Sequence, residues 1–95
     1  MRLINGRKAS DVAGRGERLL DERLRVIRVQ ITASFDNTGR VYVGGQNVMG
    51  LSGLETGYVL RAGEDLRLEG VDLADVWIDA PTAGDSVTWG AEVDD

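Results

Sequence analysis

The chain has no cysteine and no histidine, one proline, and a single lysine, Lys8. Without cysteine there are no disulfides and no thiolate chemistry. Without histidine there is no imidazole base, and most transition-metal sites lose their usual ligand. Aromatic residues are few: two Trp, two Tyr and one Phe. No apolar run approaches the ~20 residues needed to span a bilayer. The opening Met1–Gly6 stretch also lacks the apolar centre of a signal peptide. No membrane partner and no cofactor are expected.

What is present is a 95-residue chain, 42% apolar, with 13 glycines. That suits one small domain rich in turns. The net charge of −5 is unevenly spread. Residues 1–30 carry eight basic side chains, Arg15, Arg18, Arg23 and Arg25 among them, against four acidic ones, a local balance of +4. The remaining residues carry three basic against twelve acidic side chains, a balance of −9. A basic arm on an acidic body can lie on its own body, reach a like subunit, grip a partner protein or touch nucleic acid. The acidic body and the lack of aromatics among the arginines disfavour nucleic acid.

Residues 1–23 read as an extended basic arm, separable from a domain at 24–95. Within the arm, 17–24 fits either a short helix or a lead-in strand. From residue 27 the period becomes two: Ile27, Val29, Ile31 and Ala33 alternate with polar residues, as in a half-buried strand. Leu24 and Val26 stand in the opposite phase, which places a bulge or strand start between Val26 and Ile27. Asp36–Gly39 supplies a turn into Val41 and Val43. Further short strands are predicted around 58–60, 66–68, 76–78 and 87–89. Six short strands at intervals of about ten residues predict an all-β fold, a small antiparallel sandwich or barrel. Free edge strands of such a fold invite pairing with another chain.

Chemistry finds little purchase. Ser10, Ser34, Ser52 and Ser86 have no histidine to activate them, and turns or strand faces account for their hydroxyls. Asp72, Asp75 and Asp79 with Glu69 form an acidic cluster that could hold a divalent cation, but no EF-hand spacing is present and ordinary turn chemistry is the favoured explanation. The glycines at 44–45 and 50–53 lack a following Lys-Ser/Thr and read as turns. Tyr42 and Trp77 have the opposite parity to their apolar neighbours, so their rings are expected outward. There they would serve as partner anchors, as a second core layer or as a sugar platform. Trp89 shares parity with Val87 and is expected in the core. No enzymatic activity is expected.

The order of several segments carries a resemblance. Val29–Gly44, reading VQITASFDNTGRVYVG, resembles a recurring strand–turn–strand of small tailed-phage virion proteins. Leu60–Glu64, Val71–Ile78 and Ala83–Val87 are similar to later landmarks of the same proteins, in the same order. The resemblance covers about residues 24–93 and implies a non-enzymatic β-sandwich on the virion. Its expected role is a capsid decoration, or cement, protein on the capsid surface, bound to the major capsid protein and to itself as a homo-oligomer, with a trimer as the expected form. The alternative it leaves open is a head-fibre or tail accessory module that binds host-surface carbohydrate. Arg15, Arg18, Arg23, Arg25, Tyr42 and Trp77 are the expected interface residues.

Overall fold

The computed structural model describes residues 1–94, so Asp95, the last residue of the expected domain, lies outside the described residues. Eight strands form two four-stranded antiparallel sheets. In chain order they are β1 (Arg2–Ala9), β2 (Glu17–Arg18), β3 (Arg28–Ala33), β4 (Val41–Gly44), β5 (Tyr58–Leu60), β6 (Asp65–Glu69), β7 (Trp77–Asp79) and β8 (Ser86–Val93). The first sheet runs β1-β8-β3-β6 and the second β2-β7-β4-β5. No strand pairs across from one sheet to the other, so the fold is a sandwich and not a closed barrel. The six strands expected after residue 24 are all present. The other two come from the N-terminal segment.

Period-two patterning places the core. Val29, Ile31 and Ala33 of β3 and Val87, Trp89, Ala91 and Val93 of β8 turn inward, facing Val41 and Val43 of β4 and Ile78 of β7. Burying one such aliphatic side chain contributes about 1.5–3 kcal/mol. The phase change at Val26 and Ile27 is real. Val26 is buried and donates its N–H to Val71, whereas Ile27, just ahead of β3, is partly exposed.

Residues 1–23 are extended, but they are not an arm separable from a body. β1 pairs with β8 through eight residue pairs, Arg2 opposite Val93 to Ala9 opposite Ser86. β2 pairs with β7, so no helix forms at 17–24, and Leu19 joins the core. A free chain of this length would reach roughly 75 Å, yet the molecule measures 40 × 25 × 18 Å. The physical cause is the supply of edges. β8 and β7 would each expose a row of unpaired backbone groups without β1 and β2.

The turns are locked by side chains drawn from both ends of the sequence. Asp85 accepts hydrogen bonds from the Thr38 and Gly39 N–H groups at 3.0 and 2.8 Å. Asn37 accepts from the Ser86 N–H and donates to the Ser86 carbonyl, each at 2.9 Å. Two segments that carry the sequence resemblance, Asn37–Gly39 and Gly84–Asp85, thus meet in space and hold the β3–β4 turn against the start of β8.

Candidate binding surfaces

The outer face of the second sheet is not open to solvent. The loop at 10–16 and the loop at 45–57 fold across it and meet at Asp79 of β7. The Asp79 carboxylate accepts from the Gly50 N–H at 2.8 Å, the Ala80 N–H at 2.9 Å and the Gly14 N–H at 3.1 Å. The Ser10 hydroxyl donates to it at 3.5 Å. Asp79 and Ser10 are both fully buried at 0% exposure. Close contacts on this side account for the loop glycines. A Cβ on Gly50 would lie 3.0 Å from the Ala80 backbone.

Covered in this way, Tyr42 is buried, at 7% exposure. That corrects the expectation of an outward ring: its parity does turn it away from the core, but the loops roof it over. Trp77 is half-buried, and the Arg18 guanidinium lies 5.2 Å from its ring centroid in a cation–π contact. Neither ring offers a bare platform to a sugar. Arg23 bonds Asp75 at 3.3 Å and Asp72 at 3.5 Å, and the backbone of Arg25 forms an isolated antiparallel β-bridge with that of Asp72. Arg15 is exposed. The arginines therefore divide between the β2 edge and the short 3-10 helix at Leu73–Asp75, and do not gather into one patch.

The acidic cluster is dispersed as well. Asp72 caps the 3-10 helix by accepting from Ala74 at 2.9 Å, and it also accepts from Leu24 at 3.1 Å. The Ala74 N–H, followed by the Leu24 N–H and Arg23, holds the Asp72 carboxyl below its ordinary value. Asp75 is exposed, while Asp79 is filled by N–H donors, which a cation would not tolerate. Among the described residues no three potential metal ligands come together. No buried side-chain nitrogen or oxygen among them lacks a partner. Ser10 and Asp79 form the one hydroxyl–carboxylate pair of the roof, and both are sealed from any substrate.

Two broader surfaces are open. The first is the outer face of the first sheet, an open depression of about 970 Å³ with Gly90 in its floor. Its polar side chains are engaged with one another. Arg28 pairs with Glu92 at 3.3 Å, Gln30 donates to Asp65 at 2.9 Å and accepts from Arg67 at 3.2 Å, and Arg7 donates twice to the Ser86 hydroxyl. The second is the β5 side. Tyr58 is 61% exposed and Val59 49%, and Leu51 and Leu54 in the preceding loop are also exposed. Phe35, the most exposed large apolar residue, lies over Gly63 in the turn after β5. β5 is an edge strand, so its free backbone adds to these exposed apolar side chains. The sequence predicts an ordinary short strand at 58–60. Three consecutive apolar residues without alternation were the signal that one side of it lacks cover.

Comparison with protein-family models, with curated proteins and with solved structures finds no match to this chain.

Proposed function

We propose that the protein is a non-catalytic structural component of a tailed-phage virion, a decoration protein that binds the outer shell and bridges capsid subunits. The observation that carries this reading is the exposure of Tyr58 and Val59 on the open edge strand β5, with Leu51 and Leu54 exposed in the loop before it. Among the described residues every buried side-chain nitrogen and oxygen of the body beneath it has a hydrogen-bond partner. Exposed Tyr among aliphatic neighbours is the composition of an interface core. The resemblance over residues 24–93 supports the same reading, since its motif residues lie in turns that lock the two sheets together. The glycan-binding alternative draws no support from Tyr42 and Trp77, which are roofed over and stacked respectively.

The test is co-sedimentation of the purified protein with expanded shells of the phage that encodes it. Wild type is expected to bind to saturation at a fixed ratio to the major capsid protein. Tyr58→Lys with Val59→Lys is expected to weaken binding by about a hundredfold, the loss of one interface anchor cluster, with an unchanged melting curve. Wild type that stays in the supernatant would sink the proposal.

A further inference from the structure

Both edges of the first sheet are open. Among the described residues β1 pairs only with β8 and β6 only with β3, and neither edge strand contains a buried residue. Each successive pair in this sheet is antiparallel, so β1 and β6 run in opposite directions. A second copy laid beside the first, its β6 against β1, therefore continues the sheet with one more antiparallel pair.

We propose that copies of this chain associate head to tail, the β1 edge of one pairing with the β6 edge of the next, with Arg7 opposite Asp65. The register follows from parity and charge. Leu3, Asn5 and Arg7 stand on the outer face, paired with Glu92, Gly90 and Thr88 of β8. Asp65, Arg67 and Glu69 stand on the same face, paired with Thr32, Gln30 and Arg28 of β3. Setting Arg7 against Asp65 of the next copy puts Asn5 against Arg67 and Leu3 against Glu69. On the inner face it puts Lys8 against Glu64 and Ile4 against Leu68. Opposite charges directly across a strand pair attract and like charges repel. A shift of two residues one way sets Arg7 against Arg67, and the other way sets Leu3 against Arg67.

Symmetric pairings centred on the middle residue of either strand set like charges together, whereas β6 against itself centred on Leu66 sets Asp65 opposite Arg67 and is the competing arrangement. β1 against itself, centred on Asn5, brings Arg2 opposite Lys8. β6 against itself, centred on Arg67, brings two arginines together and Asp65 opposite Glu69. Basic residues on an edge strand ordinarily guard it against self-pairing. Here the matching acids lie on the far edge of the same sheet, which makes the guard selective.

A second feature points the same way. Beneath β1 the sandwich stays open as a groove of about 350 Å³, lined in part by Ile4, Gly6, Leu19, Leu20, Leu24 and Trp89. In the proposed register Leu68 and Leu66 of the next copy come opposite Ile4 and Gly6, along this groove. Each copy keeps one free β1 and one free β6, so the contact closes into a ring or grows into a chain. The proposal names the self-contact within the decoration reading and rests on that reading for its setting, but it is tested separately from shell binding.

Sedimentation of the purified chain measures association directly. Arg7→Asp and Asp65→Arg are each expected to weaken association by about tenfold or more, and the doubly reversed chain is expected to regain it. Since the native chain has no cysteine, an Asn5→Cys chain mixed with an Arg67→Cys chain can be joined by a short bismaleimide. Cross-linking is expected in the mixture and not in either chain alone. A monomeric wild type, unchanged association in both charge variants, or equal cross-linking of either cysteine chain with itself would each overturn the proposal. A monomer that still coats shells would leave the decoration role standing, and an oligomer that ignores shells would remove that role alone.

Discussion

Asp79 takes up three backbone N–H groups and one hydroxyl without any share of solvent. Hydrogen bonds to a charged group are worth about 1.5–3 kcal/mol each, and a buried donor left without its acceptor costs about 1–3 kcal/mol. Asp79→Ala strands the Gly14 and Gly50 donors at once. It is expected to destabilise the fold by about 3 kcal/mol or more, read from urea unfolding, and to free the 10–16 and 45–57 loops for hydrogen exchange. Asp79→Asn should fall between, because its amide NH₂ meets donors. A loss below about 1 kcal/mol for the alanine variant would mean that the two loops are held by packing alone. Little of this was legible in the sequence. Asp79 read as one member of an acidic run, and nothing local distinguishes a carboxylate that will collect N–H groups from loops 29 and 65 residues away. Its neighbours Val41, Val43, Ile78 and Val87 were legible, because alternation alone assigns them to one face. Tyr42 was not, since alternation separates two faces without saying what lies over the second.

β2 has two residues and survives as an element through Glu17. That carboxylate accepts from the Asp11 N–H at 2.8 Å and pairs with Lys8 of β1 at 3.3 Å, tying the two N-terminal strands together. The Asp11 N–H, aided by Lys8 and Arg15 and opposed by partial desolvation, holds the Glu17 carboxyl below its ordinary value of 4.5. Asp72 is lowered also, chiefly by the Ala74 N–H. A carboxyl whose folded value lies below its unfolded one stabilises the fold at pH above the unfolded value. That contribution is lost as the pH falls through the folded value. Thermal melts should therefore be level near neutrality and decline below the ordinary carboxylate range. Glu17→Gln should reduce the size of that decline while leaving a part due to Asp72. An identical acid decline in the variant would show that Glu17 is not coupled to folding. β1 illustrates the same reach of distant contacts. Gly6 lies mid-strand in β1, where a Cβ would come within 2.8 Å of the Trp89 ring. The glycine makes room for an indole 83 positions later.

Across the whole molecule the N-terminal segment decides stability. A fragment of residues 24–95 would lack β1, β2 and the core residue Leu19, and would bare the full length of β8. Its expected behaviour is a midpoint lowered by more than about 10 °C, or no cooperative transition at all, measured by circular dichroism. A fragment that melts like the full chain would show that the first 23 residues are an appendage after all. The whole-molecule view also revises the charge asymmetry. The basic third does not project from an acidic body; it lies against it as one edge of each sheet, and Lys8–Glu17 and Arg23–Asp72 are the ion pairs that result at those edges.

The amino-acid order alone determined the all-β class, the six strands from β3 to β8, the inward set of aliphatic residues and the turn at Asp36–Gly39, because each depends on side-chain parity and on turn preferences a few residues long. Tertiary structure alone decided that the N-terminal segment becomes two edge strands, that Tyr42 lies under a roof pinned at Asp79, and that Tyr58 and Val59 of β5 stay uncovered. Those outcomes depend on which free edge and which exposed face a distant segment can reach, and no short-range pattern encodes that distance.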